Sequence, residues 1–430
     1  MMSRFSSDRI RLLLIAFLTL GTSSLALAGP KVYVGNFKDN TVSAIDTASG
    51  KVVATVPVAA GPHGMVITRD GRFVYVSGDG ASQVSMIDTG TDTVVKTIEV
   101  GKSPHGLALT PDGRRMLVAV NGDSRVAVVD TATQTVMGSV EVGKPHTITI
   151  RPDGKVAYVS SQVPGKFALV VIDLGKLAVT RTIPLEKTPR DLEFGAGGKA
   201  LYYTLAGQDA VIVLNPATNR VVAEIPTGVS PHYANVFAHT RFGMAVVQGP
   251  GELFMFDAVK NKPAGSIAVG KQPHWMTVSS DGKTAFVTNE GSNDLSIVDL
   301  KTRKVETIAV GNAPRKVVVQ PGAAVHAGAA VSIKGFAFKP GTITIKAGDT
   351  VTWRNDDGAP HTVTFNDASA SSDSLSPGET FSRSFATAGT FAYHCSFHEY
   401  MAGQVIVQAG ARQTSLTPPY RRSASRTRAL

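Results

Sequence analysis

Ser103 to Gly143 reads SPHGLALTPDGRRMLVAVNGDSRVAVVDTATQTVMGSVEVG. A Pro-His pair opens a short apolar run, a PDGR turn (Pro111 to Arg114) ends it, and further apolar runs lead to a last one closing on Val-Gly. Short Val-rich runs bounded by Gly, Pro and Asp are strand signals, and Pro-Asp-Gly is turn chemistry. The stretch predicts four strands. Its opening mark recurs at Pro62-His63, Pro104-His105, Pro145-His146, Pro189-Arg190, Pro231-His232, Pro273-His274 and Pro314-Arg315, at spacings of 42, 41, 44, 42, 42 and 41 residues. Four strands per repeat of this length are the blades of a β-propeller.

The ends of the array predict how it closes. Lys31 enters on the second strand of a blade, because no mark precedes it, and Arg315 is followed by a lone first strand. Joined, the two pieces complete a seventh blade and remove the open sheet edges. The marks place His63, His105, His146, His232 and His274, with Arg190 and Arg315, around one mouth of the central channel. Two readings of this ring stay open. In one, duplicated repeats keep a side chain that hydrogen-bonds the neighbouring blade. In the other, the ring holds an additional metal or cofactor, with imidazole as ligand and the two arginines favouring an anionic group.

The wording of the repeats, such as KVYVGN at Lys31 and AYVSS at Ala157, resembles the YVTN family of surface-layer or lactonase-like propellers. That resemblance implies the fold and leaves the function open.

A different pattern governs the C-terminal part. FAYHCSFHEYMAGQVIV, Phe391 to Val407, contains the single cysteine, Cys395, with His398 and Met401 following at steps of three. A thiolate, an imidazole and a thioether suit a soft metal, and two His, one Cys and a weak axial Met make a blue-copper electron-transfer site. The second imidazole is expected from His361, in a strand-rich segment after VTWRNDDGAP. Strand alternation puts Phe391, Tyr393 and Cys395 on one face, so His394 points away from the metal.

The runs FAFKPGTITIKAGDTVTWRNDDGAPHTVTF and GTFAYHCSFHEYMAGQVIV resemble a cupredoxin of the plastocyanin/amicyanin kind, with a short Cys-x-x-His-x-x-Met loop. The resemblance implies a Greek-key β-sandwich and one type-1 copper held by His361, Cys395, His398 and Met401. It also implies His398 as the exposed electron port. Thr362 departs from the family, many of whose members carry Asn after the first His. A propeller joined to a cupredoxin is similar in outline to nitrous-oxide reductase. Here there is one Cys where a binuclear copper centre needs two, and no Cys-x-x-Cys-His haem motif is present.

Residues 1–28 carry Arg4, Arg9 and Arg11, an apolar run from Leu12 to Leu20 and Ala26-Leu27-Ala28, the pattern of a secretory signal peptide cleaved after Ala28. A lone Cys in an exported chain calls for an explanation, and copper supplies one. The expected organisation is a signal peptide (1–28), a seven-bladed propeller (29–320), a flexible linker containing His326 (321–330), a cupredoxin domain (331–409) and a basic disordered tail (410–430). Of the net charge of +10, the signal segment contributes +2 and the tail +5, leaving +3 for residues 29–409. That balance excludes a nucleic-acid footprint, and no later run is long enough to span a bilayer. The expectation is an all-β, periplasmic or secreted electron carrier acting on redox partner proteins. A reductase using the ring, a copper-handling protein and a structural propeller are the alternatives.

Overall fold

The structure is a computed structural model describing residues 30–47, 49–238, 240, 242–321, 330–346, 350–367, 369–385 and 388–408. The expected signal peptide, the tail from 410 and His326 with residues 322–329 of the linker lie outside the described residues. Among the described residues every regular element is a strand, and no helix is long and apolar enough to cross a membrane.

Each Pro mark opens an innermost strand: Pro62–Ile67, Pro104–Leu109, Pro145–Ile150, Pro189–Phe194, Pro231–Asn235, Pro273–Val278 and Pro314–Val319. Proline has no N–H to give a ladder, so the first residue of a strand is where it is tolerated. In six blades the preceding residue (Gly61, Ser103, Lys144, Ser230, Gln272 or Ala313) is left-handed, with φ between 41° and 67°. The ladder then skips the residue after the proline in every blade. Kink and bulge together free that residue from sheet pairing.

Seven four-stranded sheets result, six of them built from consecutive strands. The seventh joins the two ends of the array. Pro314–Val319 pairs antiparallel with Lys31–Asn36, with Val32 opposite Val319 and Val34 opposite Val317. Thr41–Asp46 and Lys51–Pro57 follow outward. Gln320 N donates to Lys31 O at 2.7 Å, and Asn312 N to Asp39 Oδ2 at 2.7 Å, so polar bonds reinforce the closure. Core formation is between blades. Tyr75, Val84 and Met86 of one blade meet Leu107, Met116 and Val118 of the next, and each such buried side chain contributes about 1.5–3 kcal/mol.

The C-terminal unit is a two-sheet sandwich. One sheet runs in the order Phe338–Lys339, Ala330–Ile333, Thr350–Asn355, Thr380–Ser384. The other runs Thr342–Lys346, His398–Gln408, Gly389–Cys395, Thr364–Phe365. Trp353, Phe365, Phe385 and Tyr393 fill the space between them, all under 3% exposed. Trp353 meets Tyr393 edge to face at 5.1 Å, a favoured aromatic geometry.

Candidate metal centre

Cys395 ends the strand Gly389–Cys395, and His398 begins the next, so a tight turn presents both side chains at one end of the sandwich. Alternation buries Tyr393 and Cys395, whereas His394 faces Asn366, its Nδ1 2.7 Å from Asn366 Oδ1. His361 comes from the loop after Thr350–Asn355 and is pinned by two backbone bonds to Leu375, at 3.1 and 2.8 Å. It is fully buried. His361 Nδ1 lies 3.7 Å and His398 Nδ1 3.4 Å from Cys395 Sγ, and the three ligand atoms all lie within 4.8 Å of one another. Among the described residues this is the group of three or more His, Cys, Asp or Glu side chains whose ligand atoms converge. Met401 is 2% exposed and packs in the same core as Cys395.

The surroundings set the character of each donor. His361 Nε2 donates to Asp357 Oδ2 at 3.1 Å, which leaves the lone pair on Nδ1, the atom facing the sulfur. Asp357 is itself held by the amides of Phe336 (2.9 Å) and Gly335 (2.7 Å), and these bonds, before its contact with His361, hold its carboxyl below the usual range. Burial pulls the His361 imidazole down, with His398 acting in the same direction and Asp357 against it. The sulfur accepts from Thr362 N at 3.4 Å, and Thr362 Oγ1 accepts from Ser396 N at 2.7 Å, tying the two ligand loops together. Partly exposed His398 is ringed by Phe336, Phe397 and Tyr400, which are 43%, 54% and 74% exposed.

The donor set can be tested against a copper ion. A soft ion bonded at about 2.0–2.3 Å to three atoms in a trigonal set holds them about 3.6 Å apart. The sulfur-to-nitrogen separations of 3.7 and 3.4 Å match this. Residues 325–408 match the model of copper-binding proteins of the plastocyanin/azurin family. The C-terminal domain of the chain belongs to that family.

Several relatives agree. The cupredoxin domain is 44% identical over 84 residues to the chloroplastic plastocyanin of Tetradesmus obliquus, covering 16% of this chain and 58% of that protein. It is 42% identical to the plastocyanin of Scenedesmus fuscus (16% and 86%) and 35% identical to the amicyanin of Paracoccus denitrificans (18% and 63%). Against the first and third of these relatives the match spans less than two thirds of their length. Residues 19–112 match the model of YNCE-like β-propellers. The propeller is similar in fold to the Kuenenia stuttgartiensis hydrazine synthase, with a TM-score of 0.58 and 20% identity over 66% of this chain and 99% of that one.

The propeller ring is built differently from the copper site. Its imidazoles pack closely on one another with their planes tilted by 33° to 39°: His63 on His105 at 3.6 Å, His105 on His146 at 3.8 Å and His232 on His274 at 4.0 Å between centroids. His105 Nδ1 lies 3.0 Å from the carbonyl oxygen of His146 on the next blade. The backbones of Arg190, His274 and Arg315 face His146, His232 and His274 in the same way, in contacts too long or bent for a full hydrogen bond. Arg315 is committed to Glu290 at 3.1 Å and to the Phe37 ring at 3.6 Å, and Arg190 to Ser230 and Gln248 at 2.8 and 3.0 Å. Burial, reinforced by the neighbouring cations, depresses every ring histidine, His146 to about 4 and His232 to about 3. The depression favours neutral imidazoles near pH 7, while the two arginines of the ring keep their charge.

Sequence reasoning missed Asp357. Its signal was the acidic pair Asp356-Asp357 four residues before His361, which becomes meaningful only when the loop folds back on itself.

Proposed function

We propose that the chain is an exported one-electron carrier, with a mononuclear copper held by His361, Cys395, His398 and Met401 in the cupredoxin domain and a propeller that docks redox partners. The observation carrying this reading is that the Nδ1 atoms of His361 and His398 both face the buried sulfur of Cys395. Copper bound there would supply a centre cycling between two oxidation states without proton or group transfer. The chain's own residues do the rest. Asp357 orients His361, the Thr362 amide supports negative charge on sulfur, and the Leu375 clamp keeps His361 from relaxing when charge changes. The apolar collar of Phe336, Phe397 and Tyr400 around His398 is the surface we assign to partner contact, since exposed aromatic patches mark interaction sites.

In this reading residues 1–28 direct export and are cleaved after Ala28, 29–320 form the propeller, 321–330 the linker, 331–409 the copper domain and 410–430 a basic tail. The ring of His63, His105, His146, His232, His274, Arg190 and Arg315 is assigned to joining blades, because the His105 imidazole bonds the backbone of the next blade, neighbouring imidazoles pack ring on ring, and the two arginines are held by Glu290, Ser230 and Gln248.

Metal content with visible and electron paramagnetic resonance spectra tests the assignment. The expected result is one copper per chain and an intense thiolate-to-copper absorption that is lost in His361→Ala. It should survive joint replacement of His63, His105 and His274 by Ala. Further metal or cofactor lost with the ring variant would make the channel mouth an active site, and a colourless protein after copper loading would overturn the carrier reading.

A further inference from the structure

Below the histidine ring the channel holds a cluster that neither the ring nor the copper site uses. Asp191, Tyr233, Trp275 and Lys316, each immediately following a ring position in the chain, line a cavity of about 350 Å³ among the inner strands. The Lys316 ammonium rests on the Trp275 ring, 2.8 Å from its centroid, and Trp275 stacks on Tyr233 at 3.9 Å. Asp191 is 1% exposed, and neither of its carboxylate oxygens has a hydrogen-bond partner. Glu193 lines the same cavity and accepts a bond from Thr149. Val66, Leu109, Ile150 and Val318 supply an aliphatic wall.

Burying an amine and two acids without pairing Lys316 to Asp191 is costly unless the groups become neutral or meet a ligand. Burial draws the Lys316 amine down to about 8, with Asp191 and Glu193 acting the other way. It also pushes Asp191 well above the carboxylate range, Lys316 opposing, and raises Glu193. An amine shifted toward its free-base form and acids shifted toward their protonated form thus line one cavity, the set needed for carbonyl chemistry.

We propose that this cavity is a second functional site, in which the Lys316 amine captures a small aldehyde or ketone as an imine. The Nζ lone pair forms a bond to the carbonyl carbon while the π pair moves to oxygen, which takes a proton from Asp191 or Glu193. The nitrogen returns a proton to that carboxylate. The ammonium has first lost one proton to the carboxylate pair, and that proton now passes to the hydroxyl, which leaves as water as the nitrogen lone pair forms the carbon–nitrogen double bond. In sum, a lysine ammonium and a carbonyl compound give an iminium and one water, with no oxidant or reductant consumed. The cavity has room for about ten waters, so the fitting substrates are compact, and the aromatic and aliphatic walls favour an apolar substituent.

Reductive trapping on the full, copper-loaded chain tests this. Acetaldehyde or benzaldehyde is added with cyanoborohydride near pH 8, and alkylation is read lysine by lysine by peptide mass mapping. Lys316 is expected to be labelled about tenfold or more faster than Lys283 and Lys304, because burial favours its free amine and the cavity holds the aldehyde beside it. Its rate should saturate with aldehyde, while Lys283 and Lys304, 78% and 71% exposed, respond linearly. Asp191→Asn should slow Lys316 labelling about a hundredfold and leave Lys283 unchanged, and Lys316→Met should remove the fast phase with the copper absorption intact. Labelling of Lys316 no faster than Lys283, or without saturation, overturns the proposal. Should Asp191→Asn fail to fold, saturation in the unmodified chain still decides.

Discussion

His361 donates its Nε2 proton to Asp357, 3.1 Å away, and by doing so turns the lone pair of Nδ1 toward the sulfur of Cys395. A contact four residues apart in the chain therefore sets the tautomer of a buried imidazole. Removing the acceptor should release that constraint. Asp357→Ala is expected to weaken copper binding about 10- to 100-fold, the usual effect of losing a residue that orients a metal-binding histidine. Competition with a chelator of known affinity, followed by the visible absorption, measures it. An unchanged affinity would remove Asp357 from the site.

Thr362 Oγ1 accepts the Ser396 amide at 2.7 Å and so fastens the His361 loop to the loop that carries Cys395 and His398. Thr362→Val keeps the shape and the backbone amide on sulfur but removes that acceptor. The cupredoxin domain should lose about 1 kcal/mol, read as a lower midpoint of the calorimetric transition of the copper-free protein, with the backbone bond to Cys395 still formed.

The ring histidines make propeller stability depend on pH. Their folded pKa values lie below the unfolded value, so the unfolded chain binds more protons as pH falls and stability drops. The contribution is complete above about 6.5 and is lost from there toward the folded values, about 4 for His146 and about 3 for His232. For His146 alone the loss is on the order of 3 kcal/mol. Calorimetry of the propeller transition between pH 7.5 and 4.5 should show the decline, and His146→Gln should make it shallower by the share of one histidine of five. A flat profile in the unmodified chain would contradict the burial of neutral imidazoles at the mouth.

Adjacent inner strands approach so closely at Gly64 that an added Cβ would lie 2.1 Å from the His105 carbonyl oxygen. Backbone on the facing strand cannot rotate away as a side chain can. Gly64→Ala should therefore destabilise the propeller by about 1–3 kcal/mol or more through overpacking, measurable as a lower midpoint in thermal unfolding. Gly113→Ala is a poorer control than it looks, because its space is open but its φ is +70°. Gly197→Ala, with open space and no left-handed φ, is expected to be close to neutral.

Much of this architecture was legible in the chain. The spacing of the Pro marks gave the number of blades, because each blade is a local unit whose turns and strands are written within about 42 residues. The pairing of Pro314–Val319 with Lys31–Asn36 followed from the same count, since an open array would leave unpaired edges. That Cys395 and His398 would face one another was readable because their spacing lies within one turn. Asp191 and Lys316 sit beside the ring residues in the sequence and were passed over, because an acid or a lysine at a strand start ordinarily faces water.

Only the tertiary structure decided what those residues became. Asp191 and Lys316, 125 positions apart, share a cavity because the chain is closed into a ring. How closely the ring histidines pack was likewise decided by the closed fold, whose bulged inner strands bring neighbouring imidazoles within 4.0 Å of one another and set His105 against the backbone of the next blade. Periodicity is a local property and survives in one dimension. Burial, tautomer and pairing depend on which distant groups exclude water from a side chain, and no stretch of sequence carries that by itself.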